Sequence, residues 1–326
     1  MIRHAALAAV AVVCAVGCGS APPVAPLPLP KAQAASAKPK PKGVLRRDET
    51  DSKVLSYVSV PWGFSTSSYF IDGPEGLVMI DLQFLPSAAE QAIAMVEAQT
   101  HKRVVAGIFL HPNPDKFNGA SVLKAHGARV LTSTAVAEHV PHVHEIRLAA
   151  FYDRYKPDYP KAPPVFETFE LKGSTPLPMK LAGVELALHG LGPGCSEAHV
   201  VVEWNHHVFV GDLVANGTHS WLEIGRTDVW VDRISEIQKL QPSRVHPGRG
   251  PSGGPELLTQ QKTYLTDVMV LVGEERPGRE DDEEGIERAK KRVLSKYPAL
   301  DYGVFLDIGL PAEWNRQAKF RSLRGK

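Results

Sequence analysis

Four short segments hold the residues whose types could do chemistry. His111-Pro112-Asn113-Pro114-Asp115-Lys116 sets an imidazole, a carboxamide, a carboxylate and an ammonium close together. Gly192-Pro193-Gly194-Cys195-Ser196 offers a thiol, Val210-Gly211-Asp212-Leu213 a second carboxylate, and Pro247-Gly248-Arg249-Gly250 a guanidinium. His111, Cys195 and Asp212 are of the types that zinc accepts, and an ion left with an open position holds a water that becomes a nucleophile. Lys116 and Arg249 are cations of another kind. Arginine does not deprotonate to become a ligand, and lysine does so only after a large pKa shift. His199, four residues beyond Cys195, is placed either to activate that thiol or to bind backbone. His246 and His219 are expected to line a cleft mouth, His206 and His207 to sit in an exposed turn, and His139, His142 and His144 on a helix-like stretch broken by Pro141. There is no phosphate-cradling loop and no G-x-S-x-G elbow.

The elements that must carry these segments follow from periodicity. Ser68–Asp72 and Gly76–Asp81 read as two strands joined by the turn Gly73-Pro74-Glu75. Residues 86–100 repeat apolar residues at helical spacing, as at Ala89, Ile93 and Val96. Residues 104–110 form an apolar strand that delivers His111 to the loop after it. A short helix over 121–126, a strand over 129–132 and a mostly helical stretch over 135–155 complete a first half. Strands over 165–171, 184–190, 200–204 and 208–210 open a second, and helices over 231–240, 255–272 and 281–296 close it. Strand clusters separated by helices in two successive halves predict a layered α/β fold.

Taken in order, the four segments resemble those of the metallo-β-lactamase superfamily. The first is similar to its H-x-H-x-D-H loop, the second to G-P-G-H-[ST], the third to the strand-end G-D and the fourth to P-G-H-G. The resemblance runs from about Val54 to Leu271 and implies an αββα sandwich with a metal cradle. It also implies histidine at positions 113, 116, 195 and 249, where this chain has Asn113, Lys116, Cys195 and Arg249. Only His111, Asp115 and Asp212 keep the family's types. The resemblance implies that Lys116 and Arg249 each bring a cation to the side of the second ion, where they either neutralise Asp115 and Asp212 or stabilise an oxyanion, and this predicts an eroded dinuclear site. For cofactors two readings stay open: none, or one zinc ion on His111, Cys195 and Asp212 with Asp115 orienting the water.

The chain as a whole sets the remaining bounds. With 43% hydrophobic and 22% charged residues it has the composition of a folded domain, not of a disordered one. A net charge of +1 provides no electrostatic footprint for nucleic acid. Met1–His4 is a short basic start, and Ala5–Val16 an uncharged apolar run too short to span a bilayer. It ends in Ala15-Val16-Gly17-Cys18, which resembles the lipobox of bacterial lipoproteins. That implies removal of residues 1–17, lipidation of Cys18 and a membrane partner through the acyl chains, with the protein exported to the cell envelope and the outer membrane favoured. Residues 18–47, rich in Pro, Ala and Lys, read as an extended tether, and 48–326 as one domain with a C-terminal helical extension. With Cys14 discarded and Cys18 lipidated, Cys195 is the one thiol left. The expected function is therefore an envelope lipoprotein that binds a small molecule or an envelope protein. The alternative is a mononuclear zinc hydrolase of esters, thioesters or lactams, and a thiol enzyme built on Cys195 stands third.

Overall fold

The computed structural model describes residues 42–324. Cys18, the signal segment and most of the tether lie outside the described residues. The first sheet runs β1 (Val44–Arg47), β2 (Val54–Val58), β3 (Ser67–Gly73), β4 (Gly76–Ile80), β5 (Val104–Ile108), β6 (Arg129–Ser133) and β7 (Glu167–Phe169), in that order. β1 to β4 pair antiparallel, and β4 to β7 parallel. The second sheet holds β8 (Leu177–Leu181), β9 (Val184–Leu191), β10 (His199–Trp204), β11 (His207–Ala215) and β12 (Arg244–Arg249), ordered β12-β11-β10-β9-β8. Its strands are antiparallel except β11 and β12.

Residue alternation explains why the two sheets stack. A strand turns successive side chains to opposite faces. Val200 and Val202 of β10 and Phe209 of β11 therefore join the core shared with the first sheet. Val201, Val208 and Val210 point the other way, into a second core. β4 is buried at every position, consistent with its unbroken Leu77-Val78-Met79-Ile80.

Helices cover both outer faces. α1 (Pro86–Thr100), α2 (Pro114–Phe117), α3 (Ala120–Ala125), α4 (Thr134–Ala137) and α5 (Val140–Tyr155) belong to the first half. α1 buries Ala89, Ala92, Ile93 and Val96, the stripe its spacing predicts. α6 (Thr227–Gln238), α7 (Glu256–Glu274), α8 (Glu283–Lys296) and α9 (Leu306–Arg324) close the second core with Trp230, Leu265, Val293 and Trp314. The layering is αββα, as expected. Among the described residues no helix is long and apolar enough to cross a membrane.

Three expectations need correction. Val44–Arg47, assigned to the tether, forms β1 because its backbone pairs with Val58–Leu55 of β2. Pro247-Gly248-Arg249 closes β12, parallel to β11, a strand that the periodicity reading did not place. β8 carries Pro178 and Lys180 on an edge, where neither disrupts the ladder, and this hid it from a hydropathy reading.

Candidate functional site

The site lies at one end of the sandwich, where strands of both sheets terminate. β4 ends at Ile80, and Asp81 follows with a φ of 59° that turns the chain sharply. Its Oδ1 accepts from the Leu110 amide at 2.9 Å, which ties this corner to the His111 loop. α2 is a single turn that carries Asp115 and Lys116 inward, both buried. β11 is irregular where Gly211 adopts φ 54°, and the break in register delivers Asp212 to the cleft. β12 passes so close that a Cβ on Gly248 would lie 1.9 Å from Asp212 Oδ1. Arg249 follows at the strand end, and a bridge between Thr66 and Arg249 joins the two sheets here.

These side chains form one ion-pair network. Lys116 Nζ lies 2.7 Å from Asp212 Oδ1, 3.0 Å from Asp115 Oδ2 and 3.7 Å from Asp81 Oδ2. Arg249 donates to Asp115 Oδ2 at 2.8 Å and lies 3.5 Å from Asp212 Oδ2. Its other amino group donates to the Phe64 carbonyl at 2.9 Å and to Thr66 Oγ1 at 3.2 Å. Lys116 is 0% exposed. Burial alone would lower its pKa, but Asp115, Asp212 and Asp81 together outweigh that and hold it above the ordinary lysine value. Asp212 is the mirror case. Burial would raise its pKa, yet Lys116 and Arg249 prevail and keep it far below the usual carboxylate range. Asp81 is pushed up to about 7 because burial exceeds the help it receives from Lys116 and the Leu110 amide.

Beside this network sit His111, Cys195 and His199, all buried, with donor atoms within 4.8 Å of one another. Cys195 Sγ is 3.2 Å from His199 Nε2, and His199 Nδ1 is 2.9 Å from the Gly192 carbonyl. A carbonyl only accepts, so Nδ1 carries the proton and Nε2 receives the thiol hydrogen. His111 Nδ1 is 3.0 Å from Ser196 Oγ, while its Nε2 makes no hydrogen bond and lies 3.7 Å from Asp212 Oδ2. Burial lowers His111 to about 4 and His199 to about 3, so both rings are neutral at neutral pH. Burial also pushes the Cys195 thiol well up. The pair is thus a thiol and an imidazole, not the thiolate–imidazolium of an activated nucleophile.

The dinuclear group implied by the four segments does not fit these residues. The Lys116 ammonium lies between Asp115 and Asp212, and the Arg249 guanidinium spans the same two carboxylates. Two fixed cations already hold the oxygens that a second dication needs.

Above the network is a recess of about 30 Å³ lined by Phe64, Phe84, Phe151, Trp221 and Phe305, with Asn113, Arg147 and Arg249 among its polar members. That volume holds little more than one water-sized guest. The Arg249 guanidinium stacks 5.3 Å over the Phe305 ring, and Phe305 stacks on Tyr302 at 5.1 Å. Arg147 from α5 pairs with Glu223 and lies 5.3 Å over Trp221.

The structure brings together His111, Asp115, Lys116, Cys195, Asp212 and Arg249, sets His199 on Cys195 and on the Gly192 carbonyl, and adds Asp81. His199 reaches Cys195 from the first position of β10. His246 and His219 do not line the cleft. His246 stacks on Phe209 and hydrogen-bonds His207, and His219 hydrogen-bonds Tyr264. His207 is buried, not exposed, and His144 is turned to the Lys161 carbonyl. Asp81, Arg147, Trp221 and Phe305 were missed. For Asp81 a signal existed, an aspartate closing a wholly apolar strand; the others come from distant segments.

No protein-family model matches the chain, and no curated protein matches it. Solved structures do. A metallo-β-lactamase from Pontibacter korlensis is similar at 22% identity and a TM-score of 0.54, over 69% of this chain and 100% of its own. FIM-1 from Pseudomonas aeruginosa, in its mono-zinc form, is similar at 14% identity and a TM-score of 0.55, over 69% and 96%. A metallo-β-lactamase from Hirschia baltica is similar at 18% identity and a TM-score of 0.52, over 69% and 98%. With the strand order, the helical layers and the loops gathered at one end of the sandwich, these likenesses identify the architecture: the chain has the metallo-β-lactamase fold.

Proposed function

We propose that this protein acts by binding, not by hydrolysis, and that a buried ion-pair network has taken the place of a dinuclear metal site. One observation carries the reading: Lys116 Nζ sits 2.7 Å from Asp212 and 3.0 Å from Asp115, inside the pocket where metal would be held. A fully buried ammonium with such partners is part of the fold, because removing it strands two charges. The recess above it is lined by Phe64, Phe84, Phe151, Trp221 and Phe305, an apolar surface that suits contact with a ring-bearing ligand. Lipidation at Cys18 would present that recess at the cell envelope, with the outer membrane as the proposed location.

The test is metal content by mass spectrometry together with turnover of chromogenic ester, thioester and lactam probes. The domain is purified with zinc supplementation beside the variant carrying Asn113→His, Lys116→His, Cys195→His and Arg249→His. The wild-type chain is expected to hold no ion at the Asp115–Asp212 pair and to show no chelator-sensitive turnover, while the four-histidine variant gains zinc. Two zinc ions per wild-type chain, or chelator-sensitive hydrolysis, would overturn the proposal. In the second case the mononuclear hydrolase becomes the better account, with Asp115 orienting water and Lys116 or Arg249 stabilising the oxyanion.

A further inference from the structure

We infer that His111, Cys195 and His199 form a site for one thiophilic ion, zinc(II) or copper(I), with a donor set of two imidazoles and a thiolate. The inference goes beyond the binding role above and does not depend on it. The three donors converge in the interior, within 4.8 Å of one another. Zinc–sulfur and zinc–nitrogen bonds of about 2.3 and 2.0 Å place tetrahedral S and N donors about 3.5 Å apart. Cys195 Sγ and His199 Nε2, at 3.2 Å, are already near that separation.

Three further features point to an ion. His111 Nε2 is fully buried and makes no hydrogen bond, a cost that a native interior seldom carries without a use. Each imidazole is oriented from behind, His199 by the Gly192 carbonyl and His111 by Ser196. Such partners fix which nitrogen faces a metal. Charge also permits it. Lys116 and Arg249 would repel a cation by themselves, but Asp115 and Asp212 offset them one for one, and Asp81 lies beside Lys116 as well. Soft sulfur with imidazole suits zinc and copper(I), and disfavours magnesium and calcium.

Binding would exchange a proton for the ion. The Cys195 S–H bond breaks, the sulfur pair forms the metal bond, and the proton leaves to solvent. His199 Nε2, now an acceptor from the thiol, turns its lone pair to the ion. No redox partner is needed, since neither ion changes oxidation state. His199 is the new element here, because none of the four recognised segments marks position 199 as a ligand.

The experiment uses the full domain stripped by a chelator. It is titrated anaerobically with zinc(II) or copper(I) against a chromophoric competitor, and separately with cobalt(II) as a spectroscopic probe. One equivalent should bind, with a sulfur-to-cobalt charge-transfer band, release of about one proton, and protection of Cys195 from alkylation in mild denaturant. Loss of an outer partner already costs 10–100-fold in affinity, so His199→Ala should cost about 100-fold or more. Cys195→Ser should abolish the band, and replacement of an exposed imidazole, His142→Ala, should keep it. Circular dichroism of each variant separates loss of the site from loss of the fold. A folded wild-type chain without the band, or a band unchanged in His199→Ala, would overturn the inference. Preference between zinc and copper is read from the two competition arms. Failure here leaves the ion-pair reading of Asp115 and Asp212 intact, whereas two zinc ions on those carboxylates would break that reading and not this one.

Discussion

Lys116 decides the character of the site, and its energetics can be isolated. Truncating one member of a buried ion-pair network costs about 3–5 kcal/mol, chiefly because the partners stay buried and uncompensated. Lys116→Met should therefore cost about that much in urea unfolding, and adding Asp212→Asn should recover part of the loss. Simple additivity in that cycle would show that the ammonium is not held by Asp212. Asp81 makes a pH prediction with the opposite sign from Asp212. Its folded pKa of about 7 lies above the unfolded value, so the folded state binds more protons across about pH 4 to 7. Its contribution to stability thus declines as pH rises through that window. Asp81→Asn keeps the acceptor for the Leu110 amide and should flatten this part of the stability profile. An unchanged profile would place the titration on another group. Asp212, with its lowered pKa, contributes stability above about pH 4 that disappears in strong acid.

Between residues and fold, the approach of β12 to β11 is the tightest constraint. Gly248 sits where a methyl group would collide with Asp212 Oδ1 at 1.9 Å and with backbone of Gly211 and Asp212 at 2.7 Å. Neither strand can retreat without opening the parallel ladder that places Arg249. Gly248→Ala should cost about 1–3 kcal/mol through overpacking and should displace Asp212 from Lys116. A thermal melt matching wild type would mean that the strands have slack. The same crowding explains the register break at Gly211, where φ 54° is a backbone that larger residues rarely adopt.

Across the whole molecule, the cleft is closed by a segment beyond the region of family resemblance. The turn Gly303–Phe305 between α8 and α9 sets Phe305 against Arg249, Phe64 and Trp221, and leaves about 30 Å³ of recess. Phe305→Ala removes a buried aromatic side chain, with a cost of about 3–5 kcal/mol. It should also enlarge the recess enough for a small aromatic guest such as indole, so that saturating indole raises the melting temperature of the variant more than that of wild type. Equal shifts would show that Phe305 does not limit entry.

Much of this was legible in residue order, because the relevant physics is local. Alternation in β10 and β11, helical spacing in α1 and the unbroken apolar β4 each report a buried face, and together they specify the layers. The four segments also announced Lys116 and Arg249 as cations opposed to Asp115 and Asp212. What sequence could not settle was partnership between distant segments. Asp81 joins Lys116, His199 replaces Asp212 in the close donor cluster with His111 and Cys195, and Phe305 covers Arg249 only once both sheets and the C-terminal helices are packed. Residue type states what a side chain is able to do. Burial and a neighbour brought from far along the chain decide its charge, its free lone pair and its access to solvent, and those quantities exist only in the folded molecule.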